Sequence, residues 1–285
     1  MDTTGDKMVN LAMQDHNILE LLRVSKTFAR GTVDEVKALN CIDLTMAPGD
    51  FITVIGSNGA GKSTLLNIIA GLFPPDNGGR VVIAGEDVTH LLGYRRAAYV
   101  GRVWQQPDMG TAGKLSIEEN LSLALLRGKP RGFKIALNRE RRRFFHARLA
   151  SLGLGLEDRL GVPAHTLSGG QRQALALIMA TISNPAILLL DEHTATLDPK
   201  TARTVLSITD EIITREKMTA VMVTHNMEVA LRYGNRLIMM HRGRVILDIA
   251  EEQKKGLSVT SLLGAFERAA GEEFTDDSVL LSSEL

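Results

Sequence analysis

An apolar strand, a glycine-rich loop and an apolar helix follow one another between residues 51 and 70, and no other feature constrains the fold as much. The loop reads Gly56-Ser57-Asn58-Gly59-Ala60-Gly61-Lys62-Ser63. It fits the phosphate-loop pattern G-x-x-x-x-G-K-[ST] in its proper place between strand and helix. Glycines let the backbone curl so that successive N–H groups point at anionic oxygens, and the helix N-terminus adds its dipole. We therefore predict a nucleoside triphosphate site rather than a glycine-rich turn without a ligand.

Each polar group of this loop has an expected partner. We expect Lys62 to reach the β- and γ-phosphates and the Ser63 hydroxyl to bind Mg²⁺. The residues expected to contact the nucleotide here are Ser57, Asn58, Gly59, Ala60, Gly61, Lys62, Ser63 and Thr64.

Composition narrows the class of protein. The 285 residues, 44% of them apolar, suffice for one large α/β domain with a subdomain, or for two small domains. Lys+Arg and Asp+Glu number 33 each, so the charge balance gives no reason to expect a nucleic-acid partner. The single cysteine, Cys41, excludes an internal disulfide and fits a reducing compartment. No run of about 18 apolar residues occurs, and residues 1–7 lack the core of a signal peptide. We expect a cytoplasmic protein that reaches a membrane only through a partner.

Strands alternate with helices along the chain, which indicates an α/β fold with a mostly parallel sheet. Ligands of such sheets lie at the carboxyl ends of the strands. Polar residues stand at several predicted strand ends: Gln105, Asp191 with Glu192, and His225. Asp191 follows the apolar run at 187–190, where phosphate-loop proteins carry the Mg²⁺ carboxylate.

These strand-end residues have matching expected roles. Glu192 is displaced by one residue toward the γ-phosphate and is expected to polarise the attacking water. His225 is a candidate donor to the γ-phosphate, and Gln105 a candidate ligand of the metal or the water. Any one strand-end histidine or glutamine is more often structural. It is their joint occurrence in this order that favours a catalytic site.

Two further features allow two interpretations each. Phe28 suits stacking on an adenine ring or packing in the core at a strand end. The basic stretch from Arg127 to Arg148 suits a solvated helix face or a surface for acidic lipid headgroups or a partner.

A second glycine-containing motif, Leu167-Ser168-Gly169-Gly170-Gln171, opens an apolar helix. Leu197-Asp198-Pro199 opens another, with Asp198 as its N-cap. With the phosphate loop, Gln105, the strand ending in Asp191 and Glu192, and His225, these motifs resemble the nucleotide-binding subunit of an ABC transporter over about residues 18 to 250.

The resemblance implies a fold and a division of the chain. The fold is a phosphate-loop NTPase core with a mostly parallel sheet, an antiparallel β subdomain and an α-helical signature subdomain. Residues 1–16 would be a flexible lead-in and residues 17–250 the ATPase domain, with its helical subdomain at about 107–183. Residues 251–285 would be a tail with one helix.

The resemblance also implies the ligands and partners. ATP and Mg²⁺ would be bound between two such domains arranged head to tail, as a homodimer or a heterodimer. Each phosphate loop would face the signature of the other domain. Ser63, Gln105 and Asp191 would serve the metal, and Glu192, His225 and Gln105 the chemistry. The other nucleotide-binding residues would be Phe28, Ser168, Gly169, Gly170, Gln171 and Asp198. Transmembrane permease subunits and a solute-binding protein would complete the assembly on the cytoplasmic face of the inner membrane.

Two departures from the family pattern narrow the subgroup. His193-Thr194-Ala195 stands where most members carry Pro-Thr-Ser, and the signature helix lacks the arginines common there. The string Asp-Glu-His-Thr-Ala, the Met-Ala after the signature and the tail Gly271-Glu272-Glu273-Phe274 resemble bacterial ATPases paired with permeases of the branched-chain amino acid type. Several of those systems import aromatic amino acids. Importer and exporter remain alternatives at this point. So do a non-transport ABC ATPase and a regulatory subunit without turnover.

Overall fold

The computed structural model describes residues 17–129 and 137–270. The predicted lead-in at 1–16, residues 130–136 of the basic stretch, and the polar end of the predicted tail at 271–285 lie outside the described residues. Two compact units make up the described chain. We call residues 17–93 with 217–270 the terminal unit, and residues 94–129 with 137–216 the central unit.

The strands are mostly short apolar runs that end at turns. In chain order they are β1 (Leu19–Phe28), β2 (Val36–Met46), β3 (Phe51–Gly56), β4 (Arg80–Ile83), β5 (Glu86–Asp87), β6 (Val100–Val103), β7 (Ile187–Asp191), β8 (Ala220–Val223), β9 (Arg236–His241) and β10 (Arg244–Ala250).

The helices fill the longer stretches between strands. They are α1 (Lys62–Ala70), α2 (Gly93–Arg96), α3 (Pro107–Gly110), α4 (Ile117–Leu125), α5 (Arg139–Ala150), α6 (Gly169–Thr181), α7 (Pro199–Glu216), α8 (Met227–Arg232), α9 (Glu251–Lys254) and α10 (Val259–Ala270). Two short 3₁₀ turns, Glu157–Arg159 and Ala164–Thr166, lie between α5 and α6.

The terminal unit contains two sheets. Four strands in the order β2-β1-β4-β5 form an antiparallel sheet. Four others lie in the order β10-β9-β3-β8, with β3 parallel to both of its neighbours and β9–β10 an antiparallel hairpin. All six residues of β3 are buried, as expected for a central parallel strand covered on both faces. The phosphate-loop strand is therefore part of the buried core of this sheet.

The tail helix α10 belongs to the same core. Leu262 and Phe266 are buried against apolar residues of β3, α8 and β9. Burial of side chains of this size contributes about 1.5–3 kcal/mol each. The predicted tail helix is thus an integral part of the terminal unit.

The central unit pairs two parallel strands with a buried helix. Strand β6 lies beside β7, with Val100 opposite Ile187 and Val103 opposite Leu190. Helix α6 is buried along most of its length, in keeping with its apolar sequence. It approaches β6 so closely that a Cβ at Gly101 would lie 2.3 Å from the carbonyl oxygen of Ala180. A side chain at that position would push the helix away from the strand.

Local predictions made from the sequence are confirmed by the helix ends. Ser116 and Glu119 form a capping box at the start of α4, as the order Ser-Ile-Glu-Glu at residues 116–119 predicts. Asp198 accepts a hydrogen bond from the Thr201 N–H at 3.1 Å, as the predicted N-cap of α7. The predicted α/β class, with a mostly parallel sheet and a separate antiparallel one, is confirmed as well. None of the described helices has the length and apolarity needed to cross a bilayer.

Long-range ion pairs account for part of the basic stretch. Arg142 binds both carboxylate oxygens of Glu118, at 2.7 and 2.9 Å. Arg148 pairs with Glu216 at the end of α7. These two pairs favour the interpretation of α5 as an ion-paired, solvated helix face.

Candidate functional site

Two glycines fix the path of the phosphate loop in the terminal unit. Gly56 ends β3 with φ +151°, and a Cβ there would lie 2.2 Å from the carbonyl oxygen of Met240. Gly61 precedes α1 with φ +98°, and a Cβ there would lie 2.4 Å from the carbonyl oxygen of Ala38. Both positions exclude a side chain by conformation and by space. The loop is therefore held tightly against neighbouring backbone.

The residue that precedes α1 has no side chain to cap the helix. Gly61 occupies the N-cap position, where it provides no side-chain acceptor for the first N–H groups of the helix. Such N–H groups, together with the helix dipole, favour an anion. Around the loop, Asn58, Gly59 and Ser63 are exposed, Gly61 and Thr64 are half-buried, and Ser57 and Ala60 are buried.

Lys62 brings a buried positive charge to this loop. It is only 7% exposed. Its Nζ donates to the carbonyl oxygens of Gly56 at 2.6 Å and Ser57 at 3.0 Å. An ammonium group beside the N-terminus of a helix has the charge and the donors that suit a phosphate chain.

His225 reaches the same edge of the terminal unit. It follows β8, which runs parallel to β3, and the Thr224 N–H donates to the carbonyl oxygen of Val54 at 3.1 Å. The side chain of Asn226 then caps α8 by accepting from the Val229 N–H at 3.0 Å. His225 and the phosphate loop therefore follow adjacent strands at their carboxyl ends, as the sequence predicted.

Phe28 lies at the end of β1 in the antiparallel sheet. Its half-buried ring packs edge-on against Phe73, with centroids 5.4 Å apart, and Lys26 Nζ lies 5.7 Å from its centroid. These contacts fit either interpretation of Phe28, and its adenine-stacking role stays a prediction.

In the central unit, Asp191 forms an ion pair that the sequence did not reveal. Its Oδ2 lies 2.6 Å from Nη2 of Arg102, with side-chain exposures of 14% and 8%. The guanidinium carbon of Arg102 lies 3.6 Å from the ring centroid of Trp104. Burial lowers the pKa of the Arg102 guanidinium, and its hydrogen bond to Asp191 acts in the opposite direction. Arg102 is the charged residue inside the otherwise apolar run 99–104, and that is a sequence signal by which it could have been found.

Glu192 follows in an unusual backbone conformation. Its φ of +44° lies in the left-handed region, which is uncommon for residues other than glycine. This conformation ends β7 and begins a turn. In the turn, the Ala195 N–H donates to the Glu192 carbonyl oxygen at 3.0 Å. Non-glycine residues with φ above zero concentrate at functional sites. The backbone conformation of Glu192 is therefore consistent with its candidate role at a functional site.

Gln105 is exposed just beyond the end of β6, the strand next to β7. Its carbonyl oxygen accepts from the hydroxyl of Thr196, in the turn after Glu192, at 3.4 Å. Gln105, Asp191 and Glu192 therefore lie at the carboxyl ends of one strand pair, as predicted.

The signature motif forms a second capping box. Ser168 Oγ accepts from the Gln171 N–H, and Gln171 Oε1 accepts from the Ser168 N–H, both at 3.3 Å. Ser168 and Gly169 are exposed, whereas Gly170 is buried, with Thr201 of α7 beside it. The motif therefore presents a hydroxyl and a helix N-terminus on the surface.

Asp198 is also exposed, and hydrogen bonds from Thr201 lower the pKa of its carboxyl. It acts as a cap within its own chain, and its contact with nucleotide stays a prediction.

The predicted site residues thus fall into two groups. The phosphate loop, Phe28 and His225 lie in the terminal unit, and Gln105, Asp191, Glu192, Asp198 and the signature lie in the central unit.

The family model described as ABC transporter matches residues 39–195, more than half of the chain. The chain belongs to the ABC transporter family. It is an ATPase and the ATP-binding subunit of a transporter. The interpretations as a non-transport ATPase and as a subunit without turnover are thereby set aside.

Known members of the ABC transporter family match most of the chain. A tyrosine transport ATP-binding protein of Clostridioides difficile is 42% identical over 252 residues, which are 88% of this chain and 100% of that protein. The phosphonates import ATP-binding protein PhnC of Stutzerimonas stutzeri is 35% identical, over 79% of this chain and 82% of that protein. The pyoverdine export ATP-binding/permease protein PvdT of Pseudomonas syringae pv. tomato is also 35% identical, but over only 34% of its own length.

A solved ABC cassette shares the fold. It is a dimeric ATP-binding cassette in a post-hydrolysis state, bound to ADP and Pi. The similarity has a TM-score of 0.70 and 31% identity, over 82% of this chain and 98% of that one. The predicted combination of phosphate-loop core, antiparallel subdomain and helical subdomain is therefore the fold of an ABC cassette.

The oxygen donors of this ABC ATPase suit Mg²⁺. The Ser63 hydroxyl, the Asp191 carboxylate and the Gln105 amide offer hard oxygen ligands, which Mg²⁺ prefers. Within the described residues, no three His, Cys, Asp or Glu side chains gather as a metal cage. A metal that keeps several waters and binds phosphate oxygens needs only one or two protein ligands. Each of these three side chains therefore has the chemistry of a ligand for Mg²⁺ that is delivered with a nucleotide.

Proposed function

We propose that this ABC ATPase powers the uptake of a small solute, an amino acid with an aromatic side chain such as tyrosine. The observation that carries the proposal is the 42% identity to a tyrosine transport ATP-binding protein over all of that protein's length. Identity to the phosphonate and pyoverdine proteins is lower. Bacterial uptake systems of this kind would also supply the permease and solute-binding partners expected from the sequence.

The residues have distinct proposed roles in the ATPase reaction. Lys62 and the N–H groups of the loop hold the β- and γ-phosphates, and the Ser63 hydroxyl and the Asp191 carboxylate hold the metal. Mg²⁺, when bound, neutralises charge on the β- and γ-phosphate oxygens. Glu192 orients and polarises the attacking water, and His225 donates to the γ-phosphate. Gln105 serves the metal or the water.

A second copy of the chain is proposed to complete each site. Ser168 and Gly169 are exposed at the N-terminus of a 13-residue helix, where helix N–H groups favour a phosphate. Asn58 and Gly59 expose the outer part of the phosphate loop. Head-to-tail pairing would bring these two surfaces together around ATP and separate them after hydrolysis. The pair would lie at the cytoplasmic face of the membrane, bound to the permease subunits.

Uptake in cells lacking this chain tests the solute. Cells of the source strain without the chain are complemented with the wild type or with Lys62→Ala, and uptake of labelled tyrosine, leucine and a phosphonate is measured. We expect only the wild type to restore tyrosine uptake. Removing the Lys62 charge should lower ATP affinity about a hundredfold, since hydrogen bonds to charged groups contribute about 1.5–3 kcal/mol each.

Two outcomes would contradict this proposal. Tyrosine uptake that is equal with and without the chain, while phosphonate uptake is lost, would reassign the solute. Uptake that is unchanged for all three, with a labelled compound retained in the cells instead, would make the chain part of an exporter.

A further inference from the structure

One of the two proposed metal ligands is held by a residue with no assigned role. Arg102 lies opposite Leu189 in the register of β6 and β7. Side chains two residues apart on a strand lie on the same face. The guanidinium therefore extends along that face to the end of β7, where its Nη2 donates to Asp191 Oδ2. Arg102, on the neighbouring strand, therefore binds the Asp191 carboxylate through one of its two oxygens.

A further contact fixes the arginine. Its guanidinium lies over the Trp104 ring, so that it is enclosed between the indole and the carboxylate. A stacked, desolvated guanidinium of this kind gains cation–π attraction as well as charge pairing. The Trp104 backbone is in turn fixed by Gln173 of α6, whose Nε2 donates to the Trp104 carbonyl oxygen at 3.0 Å. Gln173 is fully buried. The pair therefore has a rigid support that begins in the signature helix.

We propose that Arg102 is a positioning residue for Asp191, holding Oδ2 and leaving the other oxygen, Oδ1, for Mg²⁺. The inference rests on the proposed role of Asp191 as the metal carboxylate. It adds a residue to the reaction that touches neither nucleotide nor metal and acts through Asp191.

Charge and orientation predict opposite results when Arg102 is replaced. Removing a positive charge beside Asp191 strengthens the attraction of the carboxylate for a cation. Removing the hydrogen bond frees the carboxylate to rotate, so the metal must then order it, which costs side-chain entropy. If Arg102 only tunes charge, Mg²⁺ binds more tightly in its absence. If Arg102 positions Asp191, Mg²⁺ binds less tightly. The sign of the change therefore separates the two.

The decisive variant is Arg102→Met, which keeps an unbranched chain beside Trp104 and loses both charge and donors. The affinity for a fluorescent ATP analogue is measured with Mg²⁺ and with EDTA, and ATPase activity is measured against free Mg²⁺. We expect affinity in EDTA to stay within about twofold of the wild type, because the phosphate loop is unaltered. We expect affinity with Mg²⁺ and kcat each to fall by about tenfold, as for loss of an oriented ligand partner.

A second variant covers the case that Arg102→Met does not fold. Arg102→Lys keeps the charge but loses the planar fork and the stacking. We expect its nucleotide affinity in the presence of Mg²⁺ to be about threefold lower than that of the wild type. This value lies between those of the wild type and Arg102→Met. Full Mg²⁺-dependent affinity in Arg102→Lys, or a gain in Arg102→Met, would overturn the proposal.

Arg80→Met is the matched control. Arg80 forms a similar arginine–carboxylate pair with Asp87, at 3.0 Å, but both side chains are well exposed. Its replacement should leave every Mg²⁺ readout unchanged. A purely structural role for Arg102 predicts a lower melting temperature without any change in the ratio of the two affinities, and that result would also overturn the proposal.

Asp191→Asn distinguishes failure of this inference from failure of the proposed site. If Asp191→Asn keeps the wild-type dependence on Mg²⁺, the role of Asp191 is wrong and the inference falls with it. If Asp191→Asn loses that dependence while both Arg102 variants keep it, only the inference is wrong.

Trp104 is the only tryptophan in the chain. Its emission should therefore shift in both Arg102→Met and Asp191→Asn, because each disturbs the cation over its ring, but not in Arg80→Met.

Discussion

Nε2 of His193 lies 3.1 Å from Oγ1 of Thr209, and this contact ties the turn after Glu192 to the middle of helix α7. The Thr209 hydroxyl donates to the Val205 carbonyl oxygen at 2.8 Å, so the imidazole N–H is the donor to Thr209. The ring is 1% exposed, and burial lowers its pKa from 6.5 to about 4. His193 is therefore a neutral, buried side chain, and it anchors the turn directly after the candidate catalytic residue Glu192.

This buried histidine should make the stability of the protein sensitive to acid. Above pH 6.5 both the folded and the unfolded states carry a neutral His193, and its contribution to stability is complete. As the pH falls from 6.5 to 4 the unfolded state takes up the proton first. The free energy of unfolding should then decrease by up to about 1.4 kcal/mol per pH unit. Urea unfolding followed by the Trp104 emission, at a series of pH values, measures this slope.

The variant His193→Leu should flatten that slope, because it removes the group that titrates. The exposed His90 offers the matched control, since His90→Leu makes the same replacement at a surface position. An unchanged slope in His193→Leu would mean that the acid sensitivity arises from other groups.

The contrast between His193 and the phosphate loop shows which features of the structure could be predicted from the sequence. The loop, the capping boxes at Ser116 and Ser168, and the N-cap at Asp198 depend on residues within a few positions of one another. Their geometry follows from local rules of backbone and hydrogen bonding. The strand ends could be predicted too, because parallel strands place their carboxyl ends at one edge.

Contacts between distant segments were not predictable in the same way. Arg102 and Asp191 are 89 residues apart, and only the register of β6 against β7 brings them together. The ion pairs of Arg142 and Arg148 likewise depend on how α5 packs, and a sequence pattern cannot reveal them. The burial of His193 against α7 is a packing outcome as well.

Gly61 should tolerate substitution less well than Gly59 in the same loop. Both have left-handed backbone, with φ of +98° and +75°, so alanine at either costs about 1–2 kcal/mol. A Cβ at Gly61 would also collide with the Ala38 carbonyl oxygen, whereas nothing lies within 4 Å of one at Gly59. We expect Gly61→Ala to lower nucleotide affinity by at least about tenfold and the melting temperature by several degrees. Gly59→Ala is the control and should show much smaller losses of both. Equal effects in the two variants would refute the steric explanation.

Glu192→Gln should separate nucleotide binding from hydrolysis. The amide has the shape of the carboxylate but cannot accept a proton, so we expect kcat to fall by about a hundredfold or more while ATP still binds. The trapped nucleotide should hold two copies together, which size-exclusion chromatography with ATP would detect. Glu211→Gln alters an exposed carboxylate that is paired with Arg215 and should change neither quantity. Near-normal turnover in Glu192→Gln would remove Glu192 as the base.

The proposed second copy makes its clearest prediction at Ser168. An arginine there would project a long cationic side chain from the exposed start of α6, where the partner's phosphate loop is expected to lie. We expect Ser168→Arg to bind ATP within about twofold of the wild type, because the sequence of its own phosphate loop is unaltered. Dimer formation with ATP and hydrolysis should both be abolished. Loss of the cap alone costs about 1 kcal/mol. Ser116→Arg removes a capping box of the same design from α4 and therefore controls for that loss. Full activity in Ser168→Arg would mean that the phosphate loop of one chain works without the signature of another.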